Sequence, residues 1–290
     1  MEFVQIPAGK FLMGDSTHQG FVEDYEGPAV EKEVHAFEMA KTPVTNAEFL
    51  EFVQATGYQT LAERLGDSYV FHLLLPEEKR ENYPHVTGSP WWKVVPNANW
   101  AHPFGEGSSI EGIEDHPVVH IALEDAIAYC RWAKVQLPTE VQWEYAARAM
   151  STSTYPWGED LVPESGYRAN TWQGDFPNIN DALDGFVGTA PVYSFEPNDF
   201  GLYQMIGNVW EWCSHPKGIV LPLVEERISL DSIKPSGEFA IRGGSFLCHC
   251  SYCNRYRVAA RNGAFVTSTT SHMGFRCVRF EEESYVRSNL

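Results

Sequence analysis

Apolar positions recur at helical spacing in three stretches of the chain. After Thr45, the residues Phe49, Phe52 and Val53 fall on one side, and Thr45 with Glu48 forms a capping box, so a helix starts there and stops at Gly57. A second helix is predicted over 123–133, with Ala126, Ile127, Cys130 and Trp132 at its apolar positions. A third starts at Thr139, capped reciprocally by Gln142, and runs through Trp143 and Ala146 to about Ala149. The first thirteen residues read as a strand, with Phe3, Val4, Ile6 and Phe11 near Gly9. From 150 to 247 the pattern breaks up. Gly, Pro, Asn and aromatic residues are frequent, and only 190–194 and 239–245 read as strands, followed later by 272–280.

These signals predict an α+β fold: a single compact mixed domain over 1–290, low in regular secondary structure and rich in long ordered loops. Such loops need partners for backbone groups that no ladder satisfies, and bound cations can supply them. The stretch 61–111 separates the first two helices. Its Pro90-Trp91-Trp92 and Asn99-Trp100 place aromatic residues in a connection, which suggests a binding surface more than a linker.

Charge narrows the partners. With 39 acidic and 21 basic side chains the net charge is −18, a field that repels phosphate backbones and anionic lipid. Neither nucleic acid nor a membrane surface is an expected partner, and no stretch is long and apolar enough to span a bilayer. No basic region followed by an apolar run opens the chain, so a cytoplasmic location is expected, with all six cysteines as thiols.

Most of the chemistry lies in Arg242-Gly-Gly-Ser-Phe-Leu-Cys-His-Cys-Ser-Tyr-Cys-Asn-Arg-Tyr-Arg257. Three thiols and an imidazole fall within six residues, just after two glycines that permit a tight turn. Soft thiolates select copper(I), zinc or iron–sulfur clusters. A structural zinc site normally draws on four ligands, and no second pair stands nearby, whereas copper(I) is content with two. The arginines of this segment should lower thiol pKa values. The competing reading, buried small hydrophobic side chains, sits poorly beside so many polar neighbours.

This segment and Gly274-Phe-Arg-Cys277 resemble the catalytic core of formylglycine-generating enzymes, the sulfatase-modifying factor family. So do Leu137-Pro-Thr-Glu-Val-Gln-Trp-Glu-Tyr145, Tyr155-Pro-Trp-Gly158 and Gly207-Asn-Val-Trp-Glu-Trp212, and the likeness runs from Ile6-Pro-Ala-Gly9 to Arg279. The resemblance implies that fold, within the C-type-lectin-like superfamily. It implies oxidation of the cysteine in a Cys-x-Pro-x-Arg segment of an unfolded sulfatase polypeptide to Cα-formylglycine, with molecular oxygen and a thiol reductant. Cys248 and Cys253 would hold copper(I), and Ser245 would line the oxygen pocket. Asp67, Ser68, Trp91, Trp210, Tyr252 and Arg257 match positions near the peptide groove. Taken singly, Trp91 and Trp210 read as core packing and Asp67 as a solvated acid. His272 stands where the family commonly has asparagine.

Calcium is the second metal implied. One site would use the side chains of Asn170 and Asp184 with the carbonyls of Thr171 and Phe186. A second would use Gln204 and Glu211 with the carbonyls of Gly207 and Val209. At Gln204 the family often has Asn or Asp. Cys130 and Cys277 match one disulfide of secreted relatives, while the partners of the other fall on Ala147 and Val258. Two alternatives remain: a silent relative that only binds peptide, and an iron-dependent sulfoxide synthase. The latter needs clustered histidines, and His116 and His120, flanking Pro117 and a strand-like Val118-Val119, read instead as a loop.

Overall fold

The structure is a computed structural model describing residues 1–280. In chain order the elements are β1 (Phe3–Ile6), β2 (Gly9–Met13), β3 (Val30–Val34), β4 (Phe37–Ala40), α1 (Asn46–Thr56), α2 (Leu61–Leu65), β5 (Asp67–Phe71), α3 (Glu77–Arg80), β6 (His85–Val86), β7 (Ser89–Pro96), α4 (Leu123–Ala133), α5 (Glu140–Arg148), β8 (Trp210–Pro216), β9 (Glu238–Arg242), β10 (Asn262–Phe265), β11 (Met273–Gly274) and β12 (Val278–Arg279). The strands form four small sheets, ordered β1-β4-β12, β10-β9-β8-β11, β2-β3 and β5-β7-β6. This is the expected mixed domain, and among the described residues no helix is long and apolar enough to cross a membrane.

The three long helices sit where local chemistry put them. Thr45 Oγ1 accepts from the Glu48 N–H at 3.3 Å, and the Glu48 carboxylate returns the contact to the Thr45 N–H at 3.0 Å. Thr139 and Gln142 repeat the device. Gly57, at φ 67°, closes α1 by donating to the Val53 carbonyl. Phe49 and Phe52 of α1 pack on Tyr129 of α4, and Tyr129 meets Phe275 at 5.3 Å between ring centres. Trp132, at the edge of this stack, is 38% exposed.

Several expectations need correction. The opening strand is two strands, because Pro7 interrupts it. Residues 190–194 form a turn: Asn208 binds both the N–H and the carbonyl of Ala190, and Pro191 has no N–H to pair. The strand predicted over 239–245 ends at Arg242, since Gly243 and Gly244 turn the chain at φ 93° and 76°. The stretch 272–280 splits between two sheets. β11 runs parallel to β8 while β12 lies antiparallel to β4, and the fully buried Arg276 between them is drawn onto Glu211. The insertion is ordered as β5, β6 and β7. Its Trp100 lies in the core against Phe49, not on a surface.

Two buried histidines, His120 and His215, and the half-buried His272 tie this fold to pH. Desolvation lowers His120 and His215 to about 4 and His272 to about 3. Their unfolded values lie near 6.5, so the unfolded chain binds more protons between those limits. Stability is then full above pH 6.5 and falls as pH drops. A loss of about 1 kcal/mol per histidine is expected by pH 5.5, read as a falling urea midpoint. A midpoint unchanged from pH 7 to 5.5 would refute it.

Candidate active site

The turn at Gly243-Gly244 delivers Ser245 through Cys248 into the molecule, and after an outward excursion over 249–252 the chain returns at the buried Cys253. A Cβ on Gly243 would stand 2.9 Å from the Met205 carbonyl, and one on Gly244 3.0 Å from Tyr256, so both positions need glycine. The Cys248 and Cys253 sulfurs face each other at 2.7 Å, both buried. The Ser245 N–H donates to Cys248 Sγ at 3.4 Å, while its hydroxyl accepts from the Leu247 N–H at 3.3 Å.

The two thiols differ. Burial and the bond to its partner push Cys248 up. Cys253 is held below the ordinary thiol range, first by the hydrogen bond from Cys248 and then, against burial, by the Arg255 N–H and guanidinium. Either sulfur can be the donor in this contact, and the opposite shifts make Cys253 the more acidic of the pair. The expectation that neighbouring arginines depress a thiol holds for Arg255. Arg257 is buried in an ion pair with Glu26 at 2.8 Å instead.

Above the sulfurs opens a cavity of about 360 Å³. Ser245, Cys248, Cys253, Trp91, Trp210, Tyr252 and His272 all line it, so the fold unites seven of the residues singled out above. Phe176 stacks on Tyr252 at 4.2 Å, and Trp91 meets both edge-on at 5.5 Å. His272 accepts from or donates to Thr270 Oγ1 at 2.8 Å and lies 4.8 Å from the Trp92 ring. It is uncharged above about pH 4 because burial disfavours the imidazolium.

Other singled-out residues are not brought to this cavity. Ser68 is buried, bonded to His120 Nδ1 at 2.7 Å and to the Thr269 carbonyl. Asp67, at the start of β5, and Arg257 also lie outside its walls. Phe176, Tyr69 and Thr270 line the cavity without having been read from the sequence. Their only signal was an aromatic-rich or strand-edge setting, which does not say which cavity a side chain faces. His116 turns to Thr189 and His120 to Ser68 and the Pro103 carbonyl, so they do not converge. Cys130 and Cys277 lie 4.0 Å apart, both buried.

The oxygen-rich turns show a contrast. Asn170 directs its amide N–H groups to the Gly188 carbonyl and to Asn208, which leaves its buried Oδ1 without a partner among the described residues. The Asp184 carboxylate accepts from the Thr171 and Phe186 N–H groups, each at 3.0 Å. Burial raises Asp184, a cost that a cation would relieve. The Gln173 amide bridges the Thr171 carbonyl and Asp184, so these two oxygens converge on one donor. An orphaned amide oxygen, a carboxylate and a converging carbonyl fit calcium, with Phe186 two residues after Asp184. Gln204 and Glu211 do not make a matching second set. Arg276 grips both oxygens of Glu211 at 2.8 and 2.7 Å, and the Trp143 indole N–H adds a third bond at 2.7 Å. That charge is already neutralised. Gln204 Oε1, buried and unpartnered among the described residues, would be left with the carbonyls of Gly207 and Val209. Calcium at a hundred times its Kd should therefore stabilise the fold by about 2.7 kcal/mol through one site, an effect that Asp184→Asn weakens and Gln204→Leu does not. Equal sensitivity to both changes would contradict that assignment.

The mixed domain presents a buried thiol pair at the foot of an aromatic cleft. The chain belongs to the sulfatase-modifying factor enzyme 1-like domain family, whose model matches residues 1–280. It is 46% identical to a formylglycine-generating enzyme of Streptomyces coelicolor, over 94% of this chain and 88% of that protein. It is also 40% identical to an inactive Cα-formylglycine-generating enzyme 2 of Mus musculus, over 94% of this chain and 84% of that one. The structure of PvdO from Pseudomonas aeruginosa superposes with a TM-score of 0.67 at 25% identity, covering 96% and 94% of the two chains.

Proposed function

We propose that this chain oxidises the cysteine of a Cys-x-Pro-x-Arg segment in an unfolded sulfatase polypeptide to Cα-formylglycine, using molecular oxygen and a thiol reductant in the cytoplasm. The observation that carries this reading is the pair of buried sulfurs 2.7 Å apart on the floor of the aromatic cavity. Two soft donors, with no third ligand beside them among the described residues, suit copper(I), and Cys248 and Cys253 would hold it. When bound, the ion supplies one-electron redox chemistry and an affinity for the substrate sulfur.

The chain's own residues supply the setting. Cys253 is the more acidic thiol, so of the two protons that ligation by both sulfurs releases, the one on Cys248 is the harder to remove. Trp91, Phe176 and Tyr252 present apolar faces on which a peptide segment can be desolvated, and Trp210 closes the wall. Ser245 fixes the Cys248 sulfur through its backbone N–H. His272 offers a neutral ring nitrogen to the cavity where a carboxamide is usual, so it takes part as a hydrogen-bonding group and not as a charge.

A silent peptide-binding relative is the reading to exclude, given that one similar protein bears the name inactive. That reading predicts the loss of one or both thiols, and both stand here. The test is mass spectrometry of a short Cys-x-Pro-x-Arg peptide incubated with the copper(I)-loaded protein, oxygen and a thiol reductant. Aldehyde formation is expected. Bound copper and bound peptide without conversion would establish the silent alternative and make His272 the next residue to change.

A further inference from the structure

The two cysteines of the pair are held in different ways. Cys248 is fixed from its own side, by the Ser245 N–H on its sulfur and by the Trp172 N–H, which donates to its carbonyl at 3.1 Å. Cys253 follows the outward excursion over 249–252, and its N–H turns back into that excursion, to the His249 carbonyl at 2.9 Å. What fixes it lies on its other side. Arg255 Nη1 donates to the Cys253 carbonyl at 3.3 Å, and Arg257 Nε donates to the Asn254 carbonyl at 3.2 Å. Asn254 between them stands in left-handed backbone, at φ 48°, a conformation that its surroundings have to hold.

Both guanidiniums are gripped in turn by one distant segment. The strap 21–26, a single 3₁₀ turn and its exit, carries two buried acids two residues apart, the same spacing as the two arginines. Asp24 accepts from Arg255 Nε at 2.5 Å and pairs with Lys217 at 3.3 Å, and Glu26 pairs with Arg257 at 2.8 Å. The Arg255 guanidinium also lies 4.3 Å over the Phe21 ring. Between the two acids the Tyr25 carbonyl accepts from Arg261 Nη1 at 3.0 Å, and Arg261 holds Glu140 of α5 with its other edge. The strap is thereby anchored in the core at one end and on the cavity wall at the other, where Arg255 stands.

We propose that Asp24, acting through the Arg255 fork, is a positioning residue that sets where the Cys253 sulfur stands against Cys248. The inference rests on the reading of those two cysteines as joint ligands. A site with two ligands has no third bond to correct a misplaced donor, so the groups behind each donor fix its geometry. A guanidinium suits the task. Its rigid fork bonds a carboxylate and a carbonyl at once, whereas an ammonium on a flexible stem is a point charge. The strap acts without the metal as well, because a fixed backbone keeps the two sulfurs at a high effective concentration for each other.

The test uses Asp24→Ala, Arg255→Lys and Arg255→Met, with Asp125→Asn as a control, all in a Cys250→Ser background that removes the exposed thiol. Arg255 and Lys217 keep contact with solvent, so Asp24→Ala strands no fully buried charge. Asp125 caps α4 through the Ala122 N–H, so its loss weakens the fold without touching the strap. Two equilibria are read without oxygen at one pH. One is copper(I) affinity in competition with bicinchoninate. The other, with no metal, is formation of the Cys248–Cys253 disulfide against oxidised and reduced glutathione. The three strap variants should each lose about ten-fold in copper(I) affinity and about ten-fold in the disulfide equilibrium constant, while Asp125→Asn keeps both. An Arg255→Lys protein at the background values overturns the proposal, because charge alone would then suffice. A loss in Asp125→Asn as large as that in Asp24→Ala overturns it too, by tracing the effect to stability. Strap variants that shift the disulfide equilibrium of a protein without tight copper leave the strap standing and overturn the copper reading. Strap variants that shift neither equilibrium, in a protein that binds copper tightly, do the reverse.

Discussion

Cys248→Ala and Cys253→Ala will each lower peptide conversion by about 10³-fold or more, while leaving the fold intact. Removing either sulfur leaves a single thiolate in a buried pocket, and one soft donor cannot hold copper(I) against a thiol reductant in solution. The two residues act as a unit, so the double variant should lose little beyond either single one. Both side chains are small and already in the core, and trimming a thiol to a methyl costs little packing. Product formation by mass spectrometry, with circular dichroism to follow the fold, measures this. A Cys248→Ala protein converting within ten-fold of wild type would remove copper ligation from the mechanism. An additive double variant would show that the two sulfurs have separate roles.

Arg242→Met is expected to destabilise the protein by about 3 kcal/mol, seen as a lower urea midpoint with the slope unchanged. Arg242 is fully buried at the end of β9, paired with Glu140 at 3.2 Å and Glu144 at 2.6 Å, and it donates to the Val258 carbonyl. Burial alone would raise both carboxyls, but Arg261 and Arg242 hold Glu140 below its usual range, as Arg148 and Arg242 do Glu144. Removing one member of such a pair strands buried charge, at about 3–5 kcal/mol. The low end applies because Arg261 still pairs with Glu140 and Arg148 with Glu144. The same guanidinium stacks over Trp143 and precedes Gly243-Gly244, so the change also loosens the entry to the thiol loop. A midpoint equivalent to less than about 1 kcal/mol from wild type would mean the network is dispensable.

Features that depend on near neighbours in the chain are legible in the sequence. The caps of α1 and α5 rest on bonds between residues three apart, so Thr45 with Glu48 and Thr139 with Gln142 announce them. The thiol pair is legible for the same reason, since five residues separate Cys248 from Cys253 on one glycine-started turn. Asn170 and Asp184 are paired by the family resemblance alone, and in the fold the Asp184 carboxylate accepts from the N–H of Thr171, the residue after Asn170.

Features that depend on distant partners are not. Residues 190–194 alternate like a strand, yet Asn208 captures Ala190 and prevents one. Arg257 reads as a groove residue by position, but a glutamate 231 residues away draws it inward. Ser68 is turned from the cleft by His120 and by the Thr269 carbonyl.

The sequence alone therefore determined the three long helices, the mixed fold and the soft-ligand loop, because each is written in contacts a few residues long, while the short α2 and α3 went unread. The tertiary structure alone decided which aromatic side chains wall the cavity. Trp91, Phe176, Trp210 and Tyr252 come from four separate stretches and meet only when burial packs those stretches together. Which face of a short strand or loop points inward is set by the partner it finds there, and alternation along the chain carries no record of that partner.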